Sequence, residues 1–253
     1  RKAKIHSKRR MDFWRPFLKN MPTRTKLIFV SKYFAEEVIE DTGVKIKKSQ
    51  YEIIHNPIDT GKFSFKDKDV EQRKKVLSIR PYASMKYAND LSVKAVLELS
   101  KHDLFNQIEF LFVGAGRLFD ETLLPLRKFP NVKISEGFLT HDQISKLHKS
   151  YGVFLTPTRM DSQGVSRDEA MSSGLVIITN SVTAIPEFVD DDSGILVDGE
   201  DYIGMADGII KLFHDTSLFS KLSKNASLRV KNQSSTEIII EKEIKLIKNK
   251  GSN

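Results

Sequence analysis

The sequence contains no cysteine. Disulfides, thiolate-bound zinc, iron–sulfur clusters and thiol nucleophiles are therefore excluded, and the absence fits a cytoplasmic protein. No apolar run reaches the ~20 residues that a membrane-spanning helix requires. No signal-peptide pattern, internal repeat or low-complexity segment is present. The chain opens at Arg1 instead of methionine, and the expectation is a piece of a longer protein. What is there is balanced: 253 residues, 40% hydrophobic and 29% charged. That composition fills a core and rules out wholesale disorder.

The net charge of +8 is concentrated at one end. Residues 1–26 hold ten of the 41 Lys/Arg and only one of the 33 acids, Asp12. The remainder is close to neutral. Nucleic-acid binding needs a basic face and stacking aromatics on the folded body, and neither is in evidence. Phe13, Trp14 and Phe17 interleave with the bases, a pattern suited to an anionic membrane surface. A solvated linker, or a helix packed on another domain, has the same pattern.

From residue 27 onward short β-rich runs alternate with helical patterns. Strands are expected at 27–31, 51–55, 76–79, 108–113, 132–135, 153–156, 176–179 and 194–197. Helices are expected at 33–41, 91–100, 142–150 and 165–173, with further helices filling the C-terminal part. Thr140 and Gln143 form a capping box for one of these, and Gly43 and Gly174 stop two others. The polar stretch from about residue 60 to 75 reads as a domain boundary. Alternation with continuous apolar strands implies α/β architecture, a Rossmann-like doubly wound parallel sheet. Ligands of such sheets bind at the carboxyl ends of the strands.

Three strand ends carry chemistry. Arg80 and Lys86 follow the strand at 76–79 and suit an anion, most naturally a diphosphate. Val113-Gly114-Ala115-Gly116 lacks the third glycine of a dinucleotide fingerprint, so its glycines are read as permitting close backbone approach. After 153–156 a loop with Asp161 leads to Gly164 at a helix start. There the free N–H groups of Gly164, Val165 and Ser166 favour a phosphate. Glu169, one turn on, and Asp161 can accept from sugar and ribose hydroxyls. Asp168 reads as an acid favouring the helix dipole.

Asp161, seven residues, Glu169-Ala-Met-Ser-Ser-Gly, then Pro186-Glu187 and Gly194-Ile-Leu-Val, resembles the C-terminal domain of family 4 glycosyltransferases of the GT-B class. That family shows Glu, seven residues, Glu-Ala-Met-x-x-Gly, then Pro-Glu and Gly-x-Leu-Val. Gly137-Phe138-Leu139 resembles its loop that meets the base. Val30-Ser31-Lys32 and Asn56-Pro57-Ile58-Asp59 resemble the end of its N-terminal domain and its linker. The resemblance spans about residues 25–245. Departures are Asp161 for Glu, Ser162-Gln163-Gly164-Val165 for a Gly-Phe-Gly-Leu run, Val182-Thr183-Ala184 for a glycine pair, Pro57 for glycine, and one extra residue between Arg80 and Lys86.

The resemblance implies a retaining, metal-independent transferase using a nucleotide-diphosphate sugar, with no cofactor and no metal site. It assigns catalytic roles to Arg80, Lys86 and Asp161. Donor contacts fall to Gly114, Phe138, Leu139, Gln163, Gly164, Val165, Ser166 and Glu169. It divides the chain into a remnant of the acceptor-binding N-terminal domain (1–60), a nucleotide-sugar-binding domain (61–235), and a final helix (236–253) crossing back to the first. Implied partners are the donor and a glycan or lipid-linked acceptor in cell-envelope polysaccharide synthesis, with no nucleic acid. The expected place is the cytoplasm, where residues 1–26 offer a contact with the inner face of the membrane. Two rivals stand beside this: a binding module of the same fold without transfer activity, and a nicotinamide-dependent oxidoreductase.

Overall fold

The computed structural model describes residues 8–22 and 24–248; Arg1, Lys2 and Lys4 of the basic segment lie outside the described residues. The N-terminal part contains α1 (Lys8–Lys19), β1 (Leu27–Phe29), α2 (Lys32–Thr42) and β2 (Tyr51–Ile53), with β1 and β2 paired in parallel. Ser31 caps α2 by accepting from the Phe34 N–H (3.2 Å), and Gly43 ends it.

The body is a six-stranded, all-parallel sheet. Its strands are β3 (Lys75–Ile79), β4 (Glu109–Gly114), β5 (Val132–Glu136), β6 (Val153–Leu155), β7 (Val176–Asn180) and β8 (Gly194–Val197), in the order β5-β4-β3-β6-β7-β8. The chain enters at the centre, runs to one edge, then returns to β6 and runs to the other. The order therefore reverses between β3 and β6, where the strand ends splay open.

Side chains alternate across the sheet as a pleated strand demands. Val76, Val153, Leu155, Val176 and Ile178 face α3 (Asn89–Leu99) and α8 (Tyr202–His214) in one core. Leu77, Phe154 and Ile177 face α6 (Val165–Ser172) and α9 (Thr216–Ser234) in the other. Every residue of β6 and β7 is buried. Each fully buried Leu, Ile or Phe contributes roughly 1.5–3 kcal/mol, so the two layers hold the sheet rigid beneath its loops.

The remaining helices are α4 (Phe119–Leu123), α5 (His141–Ser150), α7 (Ile185–Phe188) and α10 (Thr236–Lys248). The Thr140–Gln143 capping box opens α5 as expected. β1 and β2 are shorter than the sequence suggests, ending at Phe29 and Ile53, while β3, β5 and β7 each run one residue longer than expected. Residues 185–188 form a helical turn not read from sequence; proline in its first turn needs no N–H there. The polar stretch after residue 60 packs on the body. Phe63 is buried, and its carbonyl accepts from Ser172 Oγ (2.7 Å).

Among the described residues, several hydrogen bonds tie the N-terminal part to the body. Ile58 exchanges backbone bonds with the α9–α10 junction, its N–H to Ser234 O (2.8 Å) and its carbonyl from Thr236 N–H (3.1 Å). The Glu187 carboxylate on α7 accepts from the Lys32 and Tyr33 N–H groups (2.8 and 2.6 Å), an acid at the α2 N-terminus. Gln163 grips the backbone of Asn56 from both sides, accepting from its N–H (2.6 Å) and donating to its carbonyl (3.1 Å). On α10, Ile239 is buried while Ile240, Ile244 and Ile247 are exposed.

Gly114 ends β4 where it meets the loop after β3. A Cβ there would overlap the Arg80 carbonyl oxygen and approach the Tyr82 ring to 2.8 Å. Gly114→Ala should therefore destabilise the chain by about 1–3 kcal/mol, read from the urea midpoint. Gly199→Ala, with open space around its Cβ, should leave the midpoint nearly unchanged.

Candidate functional site

The loops after β3, β4, β5 and β6 enclose a cavity of about 330 Å³ at the switch point. Eight of the residues singled out from sequence line it: Arg80, Gly114, Phe138, Leu139, Asp161, Gly164, Val165 and Ser166. A second cavity of about 320 Å³ adjoins it, lined by Lys86, Met160, Ser162 and the α2 residues Tyr33, Phe34 and Glu37. Tyr87 and Asp161 belong to both walls, so the two form one groove. A larger groove of about 530 Å³ lies between α9 and the loop before β8. Its one arginine, Arg229, is already paired with Asp190.

Arg80 leaves β3 with its N–H on Val113 O (3.0 Å), which fixes its backbone to the sheet. Its side chain is only 6% exposed. The guanidinium donates to Pro157 O (3.3 Å), its Nε has no partner, and it makes no ion pair among the described residues. Burial pulls its pKa down, and the Asp161 charge opposes this. A buried cation with unused donors costs several kcal/mol of lost hydration unless an anion arrives. Arg80 and Lys86 share one aromatic ring, Tyr87, at 5.3 and 4.8 Å from its centroid. Lys86 itself is exposed and makes no ion pair among the described residues.

Opposite these cations α6 begins. Gly164 takes a left-handed φ of 94°, so the chain turns sharply into the helix. The first helical bonds are donated by Arg167 and Asp168 to Gly164 O, which leaves the Val165 and Ser166 N–H groups ahead of them. Those groups carry the positive end of the helix dipole toward the cavity. The Asp161 carboxylate accepts from the Gln163 N–H (3.2 Å) and so shapes the turn before Gly164. Phe138 stands on the opposite rim, 88% exposed, its loop held by the Gly137 N–H on Gly114 O (2.9 Å).

The structure places two sequence-derived residues away from the cavity wall. Gln163 is buried, and its amide is spent on Asn56 and on Asp168 Oδ2 (3.1 Å), turned from the groove. Glu169 lies behind the α6 start, with His141 Nε2 at 4.0 Å from its Oε1. Asp168 lies in the first turn of α6 as expected, but not in solvent. It is buried against Arg167, whose Nε and Nη2 reach its Oδ1 at 3.0 and 2.6 Å. The Arg167 guanidinium also lies over Phe188 at 5.1 Å.

Sequence reasoning missed Tyr87, Glu187 as a cap for α2, and Arg159. Tyr87 carried a readable signal, an aromatic next to Lys86. The other two depend on partners 154 and 69 residues away, which no local pattern reveals.

The Glu169 carboxyl is pushed up to about 7, first by burial and then by the Asp168 charge. Its folded value lies above the unfolded value of 4.5, so the fold favours the neutral acid. That contribution is complete below pH 4.5, fades as pH rises toward 7, and is gone above it. Glu169→Gln removes the titration. The melting temperature of this variant relative to the parent should climb between pH 4.5 and 7 and level off above.

Comparison with known proteins identifies the family. Residues 59–229 match the family model for glycosyl transferases group 1. A capsular polysaccharide biosynthesis glycosyltransferase, CapM of Staphylococcus aureus, is 33% identical over 139 residues, covering 53% of this chain and 36% of that one. Among solved structures, S. aureus TarM, crystallised as a G117R mutant with fondaparinux, α-GlcNAc-glycerol and UDP, superposes with a TM-score of 0.76 at 19% identity. It covers 94% of this chain and 46% of TarM. A glycosyltransferase from Rickettsia africae gives 0.78 at 17% identity, covering 96% and 68%. The chain spans about a third of the length of the curated relatives it matches. With the parallel Rossmann-like sheet of the GT-B fold and a family match over most of its length, the chain belongs to the glycosyl transferases group 1 family.

Proposed function

We propose that this chain is the donor-binding portion of a retaining family 4 glycosyltransferase that uses a nucleotide-diphosphate sugar. One observation carries the reading: Arg80, buried at the switch point with an unpartnered Nε, faces the open N-terminus of α6 across the cavity. A diphosphate between them meets a guanidinium, the Lys86 ammonium and helix N–H groups at once. Phe138 and Leu139 offer an apolar rim for the base, and Asp161 faces the adjoining cavity, where the sugar would lie. UDP in the TarM crystal is in keeping with such a ligand.

In the reaction the bond from the anomeric carbon to the diphosphate oxygen breaks. An acceptor hydroxyl bonds to that carbon on the same face, and its proton passes to the departing phosphate oxygen. Arg80 and Lys86 neutralise the charge gathering on the leaving group, so the reading requires no metal. The acceptor is a glycan or a lipid-linked sugar of cell-envelope polysaccharide synthesis. In the division of labour we propose, residues 1–60 belong to the acceptor-binding domain, 61–235 bind the donor, and 236–253 return to the first.

Calorimetric titration with UDP, GDP and ADP tests the donor assignment. Arg80→Ala and Lys86→Ala should each weaken the bound nucleotide about thirtyfold, the equivalent of roughly 2 kcal/mol for a lost charged hydrogen bond. Unchanged affinity in both variants removes the assignment. Nucleotide binding without sugar transfer by the full-length protein would favour the inactive-module reading.

We also propose that α1 meets an anionic membrane surface. No helix among the described residues is long and apolar enough to cross a membrane. One side of the α1 region is packed: Leu18 and Met21 are buried, and Arg15 Nε donates to Thr42 O (3.0 Å) at the end of α2. On the other side Phe13, Trp14 and Phe17 form an exposed cluster, with centroids 5.3–6.1 Å apart. Bases near anionic lipid contribute about 1 kcal/mol each. The chain should sediment with phosphatidylglycerol vesicles at low salt and be released at high salt. The triple variant Phe13→Ser, Trp14→Ser, Phe17→Ser should stay in the supernatant; sedimentation equal to the parent would end the proposal.

A further inference from the structure

Arg159 stands on the loop between β6 and α6, two residues before Asp161, and every one of its side-chain donors is occupied. Nε donates to Glu200 Oε1 (2.7 Å) and Nη2 to Glu200 Oε2 (2.6 Å). Nη1 and Nη2 donate to the two oxygens of Asp90 (2.7 and 2.8 Å), and Nη1 also reaches Met85 O (2.8 Å). A guanidinium has five N–H groups, so none remains for a ligand. Arg80, with an idle Nε, is its opposite.

The segment that these bonds hold is the one bearing Lys86. Residues Met85–Tyr87 form a single 3-10 turn that closes on Ala88 at a left-handed φ of 51°. A residue with a Cβ is disfavoured there by roughly 1–2 kcal/mol, so the turn needs support from outside. Support comes from the Arg159 segment alone among the described hydrogen bonds between separate loops. The Arg159 N–H donates to Lys86 O (2.8 Å), Thr158 Oγ1 donates to the same carbonyl (3.2 Å), and the Arg159 guanidinium takes Met85 O. Asp90, at the start of α3, and Glu200, in the loop after β8, anchor the guanidinium in turn. Bidentate pairs on both sides fix its plane as well as its position.

Resting on the diphosphate reading above, we infer that Arg159 is a positioning residue that acts through Lys86: it clamps the Met85–Tyr87 turn to the Asp161 loop and so holds the Lys86 ammonium over the groove. It touches no ligand. It makes the cation of one strand end and the acid of another a single rigid constellation.

The test is a double-mutant cycle on the chain, read by calorimetry with whichever of UDP, GDP and ADP binds. Arg159→Ala should weaken binding about tenfold. The pair Lys86→Ala with Arg159→Ala should bind within twofold of Lys86→Ala alone, because the clamp has nothing left to position. The pair Arg80→Ala with Arg159→Ala should show the product of the two single losses. A general loosening of the fold would weaken both pairs alike. Glu200→Ala, a change at an exposed residue that removes half of the clamp, should follow the same pattern at smaller size and covers the case in which Arg159→Ala does not fold. Wild-type affinity in Arg159→Ala, or multiplicative losses with Lys86→Ala, overturns the inference while leaving the diphosphate reading intact. Unchanged affinity in both Arg80→Ala and Lys86→Ala overturns the two together.

Discussion

A guanidinium withdrawn from water without a full set of partners is the constraint around which the upper end of this sheet is arranged. Arg80 sits where β3 and β6 part, and its Nε is idle beneath a surface that excludes solvent. The neighbourhood is shaped to keep it there. Gly114 lacks a side chain because the Arg80 carbonyl passes through the space that a Cβ would fill. Tyr82 lies buried beside that glycine, edge-on to Phe119 at 4.9 Å. Tyr87 gives the charge a π-face, which attracts a cation without neutralising it. None of these groups carries a negative charge; the one acid on the wall of that cavity is Asp161, whose charge partly offsets that of Arg80.

Other acids nearby are engaged by cations or by backbone N–H groups of another element. Asp90 and Glu200 are bound to Arg159, Asp168 to Arg167, and Glu187 to the α2 N-terminus. The Arg167–Asp168 pair is buried, and the desolvation of such a pair can exceed its Coulombic gain. Its contribution here is geometric. Asp168 orients the Gln163 amide, and that amide reads the Asn56 backbone on both sides. The chain leaving β2 is thereby fixed to the residue before Gly164, at the mouth of the groove. Orientation of the N-terminal part and shape of the α6 entrance are thus set by one connected set of hydrogen bonds.

Much of this was legible because it is local. Strand runs, the Thr140–Gln143 cap, the Gly164 helix start and the Arg80–Lys86 spacing all depend on neighbours in sequence, and periodicity or turn chemistry reports them directly. Residues at strand ends converge by topology, so the loops after β3, β4, β5, β6 and β7 are the ones to expect at a site, and the first four supply the lining of the cavity. The contacts that the sequence does not show have one cause. Gln163 and Asp168 sit in a loop and a first helical turn, where polar side chains usually face solvent or ligand. Here the linker at residue 56 covers them, and nothing local announces a contact across 107 residues. The role of Arg159 is hidden for the same reason, since its carboxylates come from α3 and from the loop after β8.

The shorter acid at 161 belongs to this same logic. An aspartate oxygen reaches the N–H two residues ahead, and Asp161 Oδ1 does so with Gln163 at 3.2 Å. A glutamate carries its carboxylate one methylene further from its own backbone and closes that ring less readily. The turn into Gly164 is then left without its internal brace. In this chain the brace coincides with Gln163 in place of an aromatic side chain, and Gln163 is the residue that grips the linker. Asp161 and Gln163 therefore form one structural unit: the acid shapes the turn with one oxygen, and the turn presents the amide to Asn56. Asp161 stands on the wall shared by both cavities, its carboxylate held closer to the main chain than that of a longer acid would be.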